Sequence, residues 1–508
     1  MDQSLKSFVS RYVIPFYFDY ENNGFDTIRS FFVENPEYDK YLRLPGDGRW
    51  IESGFWENYK SGKGGKDVKK AEMDIYSYLP AIFKNSNNPD LENASNLGTS
   101  LVYNSNGKIT DVSYTKSGKE DVTADLNFEI RDMGILLFKN GVGFFWYEIG
   151  FRSKISTSLY VDFLHDFKEL ARTGSKKFSR KIGRDEETQK PILEPFITGI
   201  WVSRILFSKR LGISFWADRE VPMGDKKTLV PDKALLFQYA FVDSLSGEER
   251  KNFIFQITNG YDAKYNAPKD LEDNLYMPFG NSCFYTSNSG MSCVVTNDAS
   301  NETFFTGQFK EKFIRDYFFI YLLLVYQSFS CAHYSRLLTL LPAKEQAFRE
   351  DTRNVERVEV LCSSINLFLV KSIFDSVSNV DHQNGVYRYG KARLGINEDI
   401  SSITAGLEGF GAIERARKNL EEKLVKEKEE AEKEVKDAKL NRAVTVFGFM
   451  VVISAILDGL NLVEWFRANT LDYIHLIVMA GIILITLYLI VEILLQRNKK
   501  VNKKRKEK

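Results

Sequence analysis

The stretch VVISAILDGLNLVEWF (Val451–Phe466) decides how the chain is read, because it sets Asp458 and Asn461 inside a run otherwise apolar enough for lipid. It closes the first of two membrane-length segments. That segment runs from Val444 to Phe466, roughly 34 Å of helix at ~1.5 Å per residue. The second, YIHLIVMAGIILITLYLIVEILL (Tyr473–Leu495), is equally long and more uniformly apolar, and only RANTLD (Arg467–Asp472) separates the two. Successive helical residues advance by about 100°, so Ser454, Asp458 and Asn461 fall within about 60° of one another. Ionisable groups inside spans face a bundle interior or a water path, so this stripe is expected to line a pore. The competing reading puts Asp458 close enough to the outer headgroups to snorkel. Phe449 and Ile453, on the inner half, are expected to form a dewetting gate.

Orientation follows from the basic residues. QRNKKVNKKRKEK (Gln496–Lys508) carries a net +7, so the preceding residues net −6 against the overall +1. KDAKLNR (Lys436–Arg442) precedes the first span, and the connector holds a single Arg. Both termini are therefore expected in the cytoplasm of a two-span protein of the inner (plasma) membrane. A buried helical hairpin in a soluble protein is the competing reading. The acidic body argues against a large nucleic-acid surface.

Upstream, AIERARKNLEEKLVKEKEEAEKEVKDAKLNR (Ala412–Arg442) lacks Gly and Pro and is dense in Glu and Lys at i,i+4 spacing. Ile413, Ala416, Leu420, Leu424, Ala431, Val435 and Ala438 form a narrow apolar seam. A coiled-coil strand or stalk is expected, with a solvated single helix as the alternative.

The large N-terminal part reads as mixed α and β. YVIPFYFDY (Tyr12–Tyr20) and ALLFQYAFVD (Ala234–Asp243) are expected strands, as is FIFQITNG (Phe253–Gly260). Asn140-Gly141 sits between two apolar runs and predicts a hairpin, and Asn106-Gly107 predicts a second. TSLYVDFLHDFKELART (Thr157–Thr173) has a capping residue and helical period. YFFIYLLLVYQSFSCAHY (Tyr317–Tyr334) turns polar after about ten residues, too soon for a span, and is expected to be a buried core helix. Pro342–Ser378 predicts one long amphipathic helix, which NVDHQNGVYRYGKARLGINED (Asn379–Asp399) is expected to break.

The expected fold is an α+β cytosolic domain, a long helical stalk and two C-terminal transmembrane helices. Its boundaries are a mixed ligand-binding domain at 1–310, a helical region at 311–395 and the stalk at 396–442. The spans follow at 443–466 and 473–495, then a basic tail at 496–508.

Chemistry is sparse. YKSGKGGKDVKK (Tyr59–Lys70) has Asp67 where a phosphate loop needs Ser or Thr, and it lacks the required Gly spacing. Cys283, Cys293, Cys331 and Cys362 form no CxxC pair and are expected to be reduced thiols. His165, His333, His382 and His475 share no metal-ligand spacing. No catalytic constellation is evident, and a non-enzyme is expected. Two places suit a ligand. GFRSK sets Arg152 and Lys154 just past a strand end, and SFWADREVP sets Trp216 near Arg219, a stacking surface beside a cation that suits an adenine base and a phosphate.

The order of cytosolic domain, stalk, two spans, short connector and basic tail resembles the CorA-type divalent cation channels. That family closes its first span with a Gly-Met-Asn triplet, and Gly459-Leu460-Asn461 stands in that place. The resemblance implies Asn461 at the pore mouth and Gly459 as the turn former. Leu460 departs from the family's Met, and only Glu464 lies near where the family has an acidic connector. NGVGFFWYEIGF (Asn140–Phe151) and FIRDYFFIYLLLVYQSFS (Phe313–Ser330) further resemble the divergent CorA-like proteins encoded beside type III CRISPR systems. That resemblance implies a homo-oligomeric membrane effector of antiviral defence. Its activating ligand would be a nucleotide second messenger, a conjugate of S-adenosylmethionine and AMP (SAM-AMP) or a cyclic oligoadenylate. Mg2+ is a further implied ligand. A housekeeping divalent cation transporter and a membrane-tethered scaffold or enzyme are the alternatives.

Overall fold

The computed structural model describes residues 3–20, 23–35, 48–52, 75, 97–104, 109–117, 123–171, 178–184, 188, 191–223, 226–296, 301–341 and 352–468, with scattered positions from 477 to 488. Contacts divide the chain into two units, Met1–Phe410 and Gly411–Lys508.

The first unit is built on a 13-stranded sheet. Its middle holds β1 (Leu5–Tyr17), β5 (Thr123–Phe138), β6 (Val142–Phe151) and β12 (Leu235–Val242). Outward from β12 lie β15 (Gly290–Thr296), β14 (Ser282–Ser287) and β13 (Tyr276–Phe279). Outward from β5 lie β4 (Thr110–Ser117), β7 (Phe178–Arg184) and β8 (Pro191–Pro195). The other half of β5 takes β3 (Gly98–Asn104), which pairs with β2 (Arg49–Glu52), while β9 (Ser214–Phe215) extends the edge of β1. β12 and β15 run parallel, and the other pairs are antiparallel. A separate hairpin joins β10 (Asp218–Met223) to β11 (Lys226–Pro231).

Alternation along the strands sends apolar side chains to both faces. On β12, Leu236, Ala240 and Val242 enter one core while Leu235, Phe237, Tyr239 and Phe241 enter the other. The first core is covered by α1 (Gly24–Glu34), α2 (Thr157–Lys168), α3 (Thr198–Ile205) and α4 (Gly247–Asn259). The second is covered by α5 (Glu302–Thr306), α6 (Gln308–Lys312), a π-helical turn (Phe313–Tyr317), α7 (Phe318–Thr339), α8 (Thr352–Ser372), α9 (Asp381–Arg393) and the first turns of α10 (Ile396–Ala468). The helices after residue 310 thus pack on the sheet, inside the same unit as the strands.

Several expectations are met locally. The Asn140-Gly141 turn joins β5 to β6, with Gly141 at φ 84°. The Ser156 hydroxyl caps α2 by accepting from the Leu159 N–H at 3.3 Å. α7 is a buried core helix.

Three expectations fail. Phe253–Asn259 lies in helix α4, not a strand, because Ser246 and Glu249 form a reciprocal capping box and Gly260 ends the helix in the left-handed region. Phe253, Ile254 and Ile257 then share one buried helical face. Asn106-Gly107 lies outside the described residues, but its flanking strands are no hairpin. β3 and β4 both pair with β5, Val102 opposite Gly134 and Thr110 opposite Ile130. The 16-residue β5 is long enough to take both along one edge. Asp381–Arg393, expected as a break, is helix α9. Its Gly390 faces Leu324, where an added Cβ would meet the leucine side chain, so the glycine serves close packing. Of the long helix expected from Pro342, residues 342–351 lie outside the described residues, as does the Tyr59–Lys70 loop.

In the second unit, α10 continues to Ala468, and the described side chains from Glu422 to Ser454 are almost all exposed. This helix is long and apolar enough to cross a membrane, with a mean hydropathy of 1.5 over its best window and none of that window buried. Most of the second expected span lies outside the described residues.

Candidate functional site

The helix α10 carries Phe449, Ile453, Ser454, Asp458, Gly459 and Asn461 on one uninterrupted element. Phe449 is 55 % exposed and Ile453 51 %, and Ser454 and Asp458 are exposed. The side chain of Asn461 lies outside the described residues. At about 100° per residue, Ser454, Asp458 and Asn461 keep one face. Phe449 and Ile453 fall about 140° and 100° around the helix from Ser454, so the expected gate and the polar stripe occupy different faces.

The ligand candidates of the N-terminal unit are dispersed. Arg152 pairs with Asp111 and lies 3.6 Å from Glu129, and Lys154 is exposed on the turn that follows. Trp216 packs edge-on against Phe329 at 5.3 Å, and Arg219 pairs with Asp232 at 3.0 Å. Strand register keeps the two pairs apart. Ile149 lies opposite Ser10, whereas Phe215 lies opposite Phe16, so Arg152 and Trp216 flank opposite ends of β1. Six residues of strand span about 20 Å.

A concave site does form elsewhere, at a place the sequence did not mark. A cleft of about 490 Å³ opens beside β13, α5, α6 and the start of α9. Six rings line it, Phe305 among them, and the other five follow one another in an arc. Phe279 meets His382 at 5.3 Å, His382 meets Tyr317 at 6.3 Å, Tyr317 meets Phe309 at 5.9 Å, and Phe309 meets Phe304 at 6.0 Å. The floor, Tyr317 and Phe309, is buried, while the tips are open, Phe279 at 50 % exposure and Phe304 at 41 %. Asn281, Asn301 and Lys312 supply polar atoms along the same wall.

The floor is fixed from behind by a buried cation. Arg11 on β1 is 1 % exposed, and its Nε donates to Glu148 at 2.7 Å. Its Nη1 donates to the Ile314 carbonyl at 2.7 Å, within the π-helical turn that ends at Tyr317. The guanidinium lies 4.3 Å from the Phe318 ring centroid and 5.1 Å from that of Trp146. A π turn leaves backbone groups without their ordinary helical partners, and here a sheet residue takes one of them. Nearby Lys310 has its pKa lowered, chiefly by burial.

His333 on α7 is a second buried polar group. Its ring stacks on Tyr17 at 5.0 Å, and neither nitrogen has a hydrogen-bond partner among the described residues. Burial, with Arg336 adding to it, pushes its pKa down to about 4. Cys283, Cys293 and Cys331 are buried, and burial raises all three thiol pKa values. Among the described residues, no group of three or more His, Cys, Asp or Glu is placed to hold a metal ion.

No family model, no curated protein and no solved structure matches the chain.

Proposed function

We propose that the chain is a homo-oligomeric, CorA-like membrane effector of antiviral (type III CRISPR) defence. Its N-terminal unit would bind an adenine-containing second messenger on the cytoplasmic side of the inner membrane, and binding would open a pore that disrupts ion gradients. The observation that carries the reading is the bare apolar surface of α10. Val444, Val446, Phe447, Phe449, Met450, Val451, Ile453 and Ile456 are 48–70 % exposed. At roughly 1.5–3 kcal/mol per fully buried side chain, covering what remains exposed is worth on the order of 10 kcal/mol. A bilayer supplies that cover.

Within a bilayer the same helix presents Asp458, whose charge facing lipid would cost about 3 kcal/mol or more at the centre. Several copies with Ser454, Asp458 and Asn461 turned to a common axis give those groups water. The second segment, Tyr473–Leu495, would pack outside this ring, with both termini in the cytoplasm. Gating requires only that the messenger bind the open arrangement more tightly than the closed one.

The test is ion efflux from proteoliposomes holding the full chain, with SAM-AMP, cyclic oligoadenylates or no nucleotide. The proposal expects efflux that depends on one of these ligands and is altered by Asn461→Ala. Equal Mg2+-regulated flux without nucleotide favours a divalent cation transporter. Absence of flux from correctly inserted protein points to a tethered scaffold.

A further inference from the structure

We propose that Phe447 and Met450, and not the expected Phe449 and Ile453, form the apolar collar that closes the pore. This rests on the reading of α10 as a pore-lining helix and names what holds that pore shut.

Phase along a single helix decides between the two pairs. α10 is one helix from Ile396 to Ala468 and runs through Gly448 without a break. At about 100° per residue, Met450 lies about 40° from Ser454, and Phe447 about 20° from it. With Asp458 and Asn461 they make one stripe about 80° wide, at i, i+3, i+7, i+11 and i+14 from Phe447. An error of about 1° per residue in the helical period shifts Phe447 against Asn461 by only about 14°. Phe449, about 160° from Phe447, stays on the opposite face.

The polar half of the stripe sets the rotation of each copy. Turning Phe449 or Ile453 to the axis carries Asp458 away from water, the costly arrangement for an ionisable group in a span. Once Ser454, Asp458 and Asn461 face the axis, Met450 and Phe447 face it too, about 6 and 10 Å closer to the cytoplasmic end than Ser454. Phe447 is 70 % exposed and Met450 59 %, so the described residues do not pack either side chain away. A thioether and a phenyl ring offer an ion nothing that replaces its water, and a narrow apolar collar excludes ions by dewetting. Ala443 continues the stripe toward the cytoplasm, about 40° from Phe447, but its methyl group is too small to close it.

The experiment measures potassium efflux, without nucleotide, from phosphatidylethanolamine–phosphatidylglycerol vesicles holding the full chain. Phe447→Gln and Met450→Gln should each raise this basal efflux about tenfold or more over the parent, because every copy in the ring carries the change. Two positions keep the test from hanging on one variant that fails to assemble. Phe447→Leu, which keeps the collar apolar, should stay at the parent's level, as should Phe449→Gln and Ile453→Gln. Basal efflux at the parent's level in both collar Gln variants overturns the assignment, and a parent that still conducts with SAM-AMP or a cyclic oligoadenylate leaves the channel proposal standing. A leak from Phe449→Gln or Ile453→Gln alone overturns it in favour of the other face. An equal leak from Phe447→Leu shows lost packing in place of wetting and overturns it as well. A nucleotide-free leak from both collar Gln variants of a chain that neither nucleotide opens supports the collar and counts against the messenger reading alone.

Discussion

Replacing Arg11 by Met tests how the helical layer is fastened to the sheet. The substitution keeps an unbranched apolar stem but removes the guanidinium, which lies over the Trp146 and Phe318 rings. Two bonds go at once, to Glu148 and to the Ile314 carbonyl, both at 2.7 Å. Breaking a buried ion pair by deleting one partner costs about 3–5 kcal/mol, and a carbonyl left unsatisfied costs about 1–3 kcal/mol. Glu148 retains 17 % side-chain exposure, so water reaches it and the low end applies. The expected loss is about 3–4 kcal/mol, measured as a shift of the urea midpoint of the N-terminal transition in the full chain. Arg11→Met combined with Glu148→Leu removes the stranded carboxylate and should recover about half of it. A single-variant loss below about 1 kcal/mol would refute the reasoning, because it would mean that the cation does not hold the π turn.

Two further outcomes follow from the caps and the buried imidazole. Ser246→Ala should destabilise by about 1 kcal/mol and speed amide exchange in the first turn of α4, whereas unchanged exchange there would count against the capping box. For His333 the folded pKa, about 4, lies below the ordinary histidine value of 6.5, so the unfolded chain takes up the proton first as pH falls. The stabilising contribution is complete above about pH 6.5 and is lost progressively toward pH 4, with a slope of up to about 1.4 kcal/mol per pH unit. His333→Phe should flatten the stability–pH curve in that window relative to the parent chain, and an identical curve would contradict the burial.

What the sequence made legible was local. Asn140-Gly141 announces its hairpin because both residues tolerate positive φ, and the apolar run of β12 is long enough to be a strand buried on both faces. At Phe253–Asn259 the β-branched and aromatic residues favour a strand, and the helix cap outweighs them. The Ser246-x-x-Glu249 signal was already present and, once satisfied, sets the period for the following turns. Helix α9 was hidden because Gly385 and Gly390 look like breakers until Tyr276 and Leu324 are placed against them. Nothing in the sequence around Arg11, which lies between Ser10 and Tyr12, marks it as a buried cation. The cleft was illegible for a different reason. Phe279, Phe304, Tyr317 and His382 come from segments that only the sheet order and the α6–α7 turn bring together, and singly each is indistinguishable from packing. The apolar length of α10 needed no tertiary contact, so it could be read directly.

The central claim is that the Ser454, Asp458 and Asn461 face of α10 meets water inside a bilayer. The direct measurement replaces Asp458 or Ile456 by Cys in a Cys362→Ser chain in proteoliposomes and applies a charged, membrane-impermeant thiol reagent during activation. Cys283, Cys293 and Cys331 are buried and should stay silent. The account predicts that Asp458→Cys is modified and that its efflux changes, while Ile456→Cys, about 160° away, resists. Modification of Ile456→Cys alone, or of neither position, would contradict it.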